Sequence, residues 1–318
     1  MSCQFIYDFE ESVDLYAQIK IIGVGCGGGR ILKHLIDQKT RAVEYVFVDS
    51  DPKAITESSV KTTLQLSANS PDAGSNAAAS EHDDILALFR NIDMVIIVAN
   101  MSDGVGERIA PVIAAAAKNQ NILTTAVVIE PFMSENLKHV RLAQERTAEL
   151  SKCVDSVIVA SHSMLISDDH AVDENRQPVC NNVALSALTV RDIVYLITQT
   201  TYMGIDFADV KIILSKYTGE SRVGFGTATG INRADVAVKR ALLSMHRQKV
   251  DMYPAQGMLI MVSGNEDMTL KEYDGAISII YNRVHDDAEI VAAMVYDQEL
   301  GENIRVTVVL TGLSGFNA

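Results

Sequence analysis

Basic residues are in deficit: 27 Lys and Arg stand against 41 Asp and Glu, a formal net charge of −14. That balance argues against a nucleic-acid partner or an anionic-membrane surface, each of which needs a basic face. Cysteine is scarce as well. Cys3, Cys26, Cys153 and Cys180 form no Cys-x-x-Cys pair and no Cys/His zinc spacing, so the sequence predicts reduced thiols and no metal site. Long apolar runs are missing, because stretches such as 94–99 are strand-sized and fall short of the ~20 residues of a membrane span. The acidic start (Asp8, Glu10, Glu11, Asp14) is unlike a signal or transit peptide. These absences predict a cytoplasmic chain without direct membrane insertion.

What is present is 318 residues, 48% hydrophobic, enough for one large core or two smaller ones. Val/Ile runs at 19–23, 44–48, 94–99, 122–129 and 156–160 have the character of parallel strands buried on both faces. Helical stretches at 30–38, 83–90, 107–119 and 135–152 lie between them, which predicts a doubly wound sheet with ligands outside the strands' carboxyl ends. Residues 65–80 read as a loop over that edge. A long helix is expected near 181–201, then strands at 210–215, 221–228, 258–263, 289–296 and 304–311 with helices at 234–247 and 270–283. The resulting division is an α/β domain over 1–178, a central connecting helix over 179–203 and a smaller mixed-sheet α/β domain over 204–318.

The first strand runs into Gly23-Val-Gly25-Cys26-Gly27-Gly28-Gly29. Glycine permits positive φ and leaves no Cβ, so a backbone can lie flush against a phosphate chain. The helix that follows offers unpaired N–H groups to an anion. Gly23-x-Gly25-x-x-Gly28 also fits the dinucleotide fingerprint, with Asp49 placed 21 residues beyond Gly28 as a ribose-binding acid. That suggests a nicotinamide-dependent oxidoreductase, but His139, His162 and His170 are isolated and offer no hydride-transfer partner.

The second half adds Gly204-Ile-Asp206-Phe-Ala-Asp209-Val210, Val223-Gly-Phe-Gly-Thr-Ala-Thr-Gly-Ile-Asn-Arg-Ala234 and Arg305-Val-Thr-Val-Val-Leu-Thr-Gly312. With the glycine run and Ile122–Phe132, these resemble FtsZ, the bacterial member of the tubulin superfamily, from about Ile19 to Gly312. The resemblance implies GTP or GDP, with magnesium, in the sheet-end loops of the first domain, and hydrolysis of the FtsZ/tubulin type if the chain is active. It implies subunits stacked head to tail, a contact that does not close and so propagates into a filament. It assigns nucleotide contacts to Gly25, Cys26, Gly27, Gly28, Gly29, Asp49 and Asp51. Asp206 and Asp209 match the two acids that polarise water in the neighbouring subunit's site. On the residues alone, Asp206 reads as a cap and Asp209 as a strand-entry turn residue.

The chain departs from that pattern where a phosphate should lie. The family's Gly-Gly-Gly-Thr-Gly-Thr-Gly becomes Ser102-Asp103-Gly104-Val105-Gly106-Glu107-Arg108. Val105 and Glu107 remove two hydroxyl donors, and Asp103 and Glu107 add carboxylates that repel a phosphate by several kcal/mol at an effective dielectric of ~20. Glu107, paired with Arg30 or Arg108, is expected either to fill part of the phosphate volume or to cap its own helix. The γ-phosphate loop at 66–74 is shortened. The ribose pair becomes Glu135 and His139, and Ser161 stands for a base-reading asparagine. A second base contact falls near Asn182, and Gly204 opens the loop after the long helix. The expectation is an FtsZ-like cytoskeletal protein that self-assembles into filaments, with weakened GTP binding and slow or absent hydrolysis. The alternatives are a nucleotide-free regulatory subunit that co-assembles with an active FtsZ relative, or the oxidoreductase.

Overall fold

The computed structural model describes residues 17–40, 43–66, 76–130, 137–160, 178–198, 205–217 and 219–313. Side chains of residues 76–81, 178–182 and 219 lie outside that description. Strands β1 (Ile19–Val24), β2 (Val43–Asp49), β3 (Thr62–Gln65), β4 (Met94–Asn100), β5 (Leu123–Ile129) and β6 (Ser156–Ala160) are joined by parallel pairings. Between and around them run α1 (Gly25–Asp37), α2 (Pro52–Glu57), α3 (Asn76–Ala87), α4 (Gly106–Asn119) and α5 (Leu137–Leu150). The later elements are α6 (Pro178–Thr198), α7 (Phe207–Lys216), β7 (Gly219–Ala228), α8 (Arg233–Arg247), β8 (Gly257–Gly264), α9 (Leu270–Tyr281), β9 (Glu289–Tyr296) and β10 (Ile304–Thr311).

The sheet order is β3-β2-β1-β4-β5-β6-β7-β10-β8-β9. The expected mixed part is there, since β10 is antiparallel to both β7 and β8 while β9 is parallel to β8. It is continuous with the parallel part. Residues 219–222 of β7 pair beside 156–159 of β6, and the buried Ser156 and Ser221 hydroxyls meet at 2.8 Å across that junction.

Adjacent residues of a strand face opposite sides, so the apolar runs feed two cores at once. Ile21 and Ile96 pack with Ile31 and Leu35 of α1 and with Val190 and Ile193 of α6. Ile22 and Ile97 pack with Ile109 and Ile113 of α4. A third cluster, including Val238, Ile260, Ile277 and Val308, is built by α8, α9, β8 and β10.

Three sequence expectations are corrected. Residues 210–215 are not a strand but part of α7: Val210, Ile213 and Leu214 are its buried residues, a helical spacing, and Asp206 caps its start. Helix α1 begins at Gly25, so the glycine run forms its first turn and does not precede it. Within 65–80, α3 starts at Asn76. The short edge strand β3 and the Asp51-capped, Pro52-initiated α2 were not anticipated, although an acid followed by proline is a helix-start signal. Among the described residues no helix is long and apolar enough to cross a membrane.

Candidate functional site

The sheet order reverses between β1 and β4: α1 packs on one face and α4 on the other, and both begin at the same edge of the sheet. Such a switch point is where open α/β sheets bind ligands. Within 25–29 only Gly25 has positive φ, at +71°. Gly27, Gly28 and Gly29 are explained by packing. A Cβ on Gly27 would collide with the Asn100 Cβ, one on Gly28 would lie 2.5 Å from the Val98 carbonyl oxygen, and one on Gly29 would lie 2.8 Å from the Phe47 ring. Glycine here lets α1 sit down on β1, β2 and β4.

The turn from β4 into α4 is built by its own side chains. Asn100 Oδ1 accepts from the Ser102 N–H at 3.0 Å and its hydroxyl at 2.8 Å. Gly104 has φ +77°, and its carbonyl accepts from Arg108 Nε at 2.7 Å. Val105 holds the N-cap position of α4 and has no side chain to cap it. Asp103 does so instead, Oδ1 accepting from the Gly106 N–H at 2.6 Å. Its other oxygen, Oδ2, accepts from Gly27 N–H of α1 at 3.2 Å. Helix α1 has no side-chain cap at Val24 and no acid in its first turn. One carboxylate therefore bridges the starts of both helices. Burial pushes the Asp103 carboxyl above its ordinary value, against the lowering effect of the Gly106, Gly27 and Val105 N–H groups, and the charge of Asp49 adds to the rise.

Of the two roles expected of Glu107, its position matches the first-turn acid of α4 and not the arginine-paired phosphate substitute. It lies in the first turn of α4, half-exposed, without an ion pair to Arg30 or Arg108 among the described residues. Its charge bears instead on Arg146 of α5. The reason is geometric: Asp103 sits ahead of the helix axis, on the N–H groups, whereas a first-turn residue points outward from it. The signal was an acid three residues before Gly106, ahead of a Val105 that cannot cap the helix itself.

Of the other expected contacts, Asp49 lies near enough to Asp103 for its charge to act there, and the rest serve local turns or lie elsewhere. Asp49 is 3% exposed at the end of β2, and its carboxylate accepts from the Asp51 N–H at 2.9 Å, so it serves its own turn. Asp51 caps α2 through the Lys53 N–H at 2.9 Å. Cys26 is exposed in the first turn of α1 with a free thiol. His139 is exposed on α5. Glu135, Ser161, Gly204 and residues 67–74 lie outside the described residues, and Asn182 is described only as backbone within α6.

Asp206 and Asp209 form a reciprocal capping box at the start of α7. Asp206 Oδ1 accepts from Asp209 N–H at 2.9 Å, and Asp209 Oδ2 from Asp206 N–H at 3.2 Å. Asp209 is thus a helical residue, not a strand-entry one. Asp206 is exposed and Asp209 half-exposed, leaving carboxylate lone pairs free for a further donor. The structure does not bring them to the glycine run: α7 packs on β8, β9, β5 and α6.

An ionic cluster missed at the level of sequence ties α6 to the β9–β10 region. Arg305 of β10 donates to Asp192 Oδ1 and to Asp297 Oδ2, each at 3.2 Å. Thr307 Oγ1 donates to Asp192 Oδ2 at 2.6 Å, and Arg191 donates to Asp297 Oδ2 at 3.4 Å. Burial raises the Asp192 carboxyl, with Arg305 and the Thr307 hydroxyl opposing it. A charged pair inside an otherwise apolar helix was the available cue. A cleft of about 390 Å³, lined by His34, Leu188, Arg191, Glu299 and Arg305 among others, opens beside it.

A guanine nucleotide would need the N–H groups of both helix starts for its phosphates, and Asp103 already holds Gly27 and Gly106. No Lys or Arg pairs with Asp103 among the described residues to offset a second anion. In this arrangement the described residues of the two helix starts do not fit a triphosphate. Nor do any three His, Cys, Asp or Glu gather to hold a metal ion among the described residues.

Comparison with known proteins bears on the same site. The sequence model of the Tubulin/FtsZ family GTPase domain matches residues 18–168, and that of the FtsZ family C-terminal domain matches residues 219–314. The cell division protein FtsZ of Coxiella burnetii is 33% identical across 97% of this chain and 82% of its own length. Cell division protein FtsZ 2 of Rhizobium meliloti is 34% identical across 94% of this chain and 89% of its own. Among solved structures, an empty FtsZ dimer from M. jannaschii superposes with a TM-score of 0.82 at 27% identity, covering 94% of this chain and 89% of that one. CetZ2 from Haloferax volcanii, in a GTPγS-bound protofilament, has a TM-score of 0.68 at 17% identity and shares the fold alone. The nicotinamide reading draws no support from these matches.

Proposed function

The chain belongs to the FtsZ family of the tubulin superfamily, a family of cytoskeletal cell-division proteins, and from that premise we propose that it assembles head to tail into filaments with weakened nucleotide binding and slow or absent hydrolysis. The observation that carries the second half is the Asp103 carboxylate, seated on the Gly27 and Gly106 N–H groups beside a turn that lacks the family's threonine hydroxyls. The first half is supported by the likeness to FtsZ over nearly the whole chain and by the survival of Asp206, exposed, and Asp209, half-exposed, at the start of α7. The protein's place is then the cytoplasm, and its first partner is another copy of itself.

Sedimentation of the purified chain, with and without GTP and with phosphate release followed in parallel, tests this reading. Pelleting with little phosphate release supports it. Rapid GTP turnover, or a chain that stays in the supernatant under both conditions, contradicts it. The same vacancy of donors favours a second reading, in which the chain is a nucleotide-free regulatory subunit. Pelleting only after an active FtsZ is added would select that one.

A further inference from the structure

Two helix starts in this fold converge on one anion, and that anion is covalently part of the chain. We propose that the Asp103 carboxylate is a resident substitute for nucleotide phosphate, which holds the starts of α1 and α4 in an engaged arrangement without nucleotide and must leave before a phosphate can enter. The occupancy claim stands by itself; its consequence, that assembly is indifferent to nucleotide, rests on the filament reading above.

Four observations carry it. The donors come from residues 79 positions apart, Gly27 and Gly106, and reach different oxygens of the same carboxylate at 3.2 and 2.6 Å. Neither helix has a side-chain cap at its N-cap residue, since Val24 and Val105 cannot supply one. The carboxylate also fills space that missing side chains leave: a Cβ on Gly25 would lie 2.6 Å from Asp103 Oδ2, and one on Gly106 would lie 2.9 Å from Oδ1. Finally, the buried carboxylate of Asp49 adds to the negative potential there, and no Lys, Arg or His pairs with Asp103 among the described residues. A phosphate arriving beside both acids would meet repulsion without a compensating cation.

Glu107, the other acid of this turn, makes no hydrogen bond to either helix start among the described residues, and its charge acts on Arg146. The remaining charged residues of the two helix starts, Arg30 and Arg108, are exposed, and Arg108 is engaged with the Gly104 carbonyl.

The test is a titration of the whole chain with a fluorescent GTP analogue, at fixed magnesium and neutral pH, for the wild type, Asp103→Gly and Asp103→Asn. Removal of a charged acceptor from the donors should tighten binding about tenfold or more in both variants. The asparagine keeps one amide oxygen for the Gly106 N–H, so it remains a folded readout should the glycine variant fail. Equal affinity of wild type and folded variants overturns the proposal. A second measurement needs no variant: hydrogen exchange of the peptides containing Gly27 and Gly106 should be slow in the nucleotide-free wild type and unchanged on adding GTP. Marked protection on adding GTP would overturn the proposal as well. If the wild type fails to pellet under any condition, the filament reading falls, while titration and exchange still decide occupancy.

Discussion

Arg305 and Asp192 lie 113 residues apart in the chain and meet at 3.2 Å inside the protein, each at most about 5% exposed. This contact fastens α6 to β10, with Asp297 and Thr307 completing the cluster. Replacing Arg305 with methionine removes the nearer of the two cations that Asp192 and Asp297 share and leaves them Arg191, at 3.9 and 3.4 Å. The expected loss is about 3–5 kcal/mol of unfolding free energy, read from denaturant melts. A loss below about 1 kcal/mol would mean that the cluster is not energetically coupled.

The capping box separates two roles for Asp206. Asp206→Ala removes the acceptor for the Asp209 N–H and should cost about 1 kcal/mol of stability. Asp206→Asn keeps a good cap and removes only charge, so its melting curve should match wild type. If the acid also acts across a filament contact, the asparagine variant will nevertheless alter pelleting. Identical behaviour of the asparagine variant in both assays would confine Asp206 to capping.

Much of this was legible beforehand. The runs that became β1, β4 and β5 read as doubly buried strands because their Ile and Val residues serve both faces of the sheet. Helix α7 was misread because Val210, Ile212 and Ile213 are β-branched, and local preference gave way to the packing of one apolar face. The glycine run announced a close approach, but its partners, Phe47 and Asn100, are distant in sequence. Asp103 was visible as an added charge. That it bridges two helices follows only once β1 and β4 are neighbours, a fact of topology that no local pattern encodes.

Gly27 should respond to substitution by any side chain, with or without ligand. The added Cβ of Gly27→Ala meets Asn100 beneath α1, and overpacking of this kind costs about 1–3 kcal/mol. A thermal melt of the nucleotide-free protein reads it. Should Gly27→Ala melt like wild type, the packing explanation of the glycine is wrong.

The raised Asp103 carboxyl has a definite sign in stability. A native acid that holds its proton to higher pH than in the unfolded chain binds more protons in the folded state. Its contribution is therefore full below the ordinary value of 3.8 and is lost as pH rises through the raised native value. Asp192 and Glu130 are shifted the same way by burial, so the informative quantity is a difference. Asp49 faces Asp103 from β2 and is present in both proteins. Wild type should lose stability over that window faster than Asp103→Asn. Parallel pH profiles would contradict the assignment.

Electron microscopy of the chain stripped of nucleotide, alongside the same sample with GTP, tests the account at its centre. Filaments of the same form and abundance in both are the expected result. Filaments that need GTP, or their absence from both samples, would contradict it.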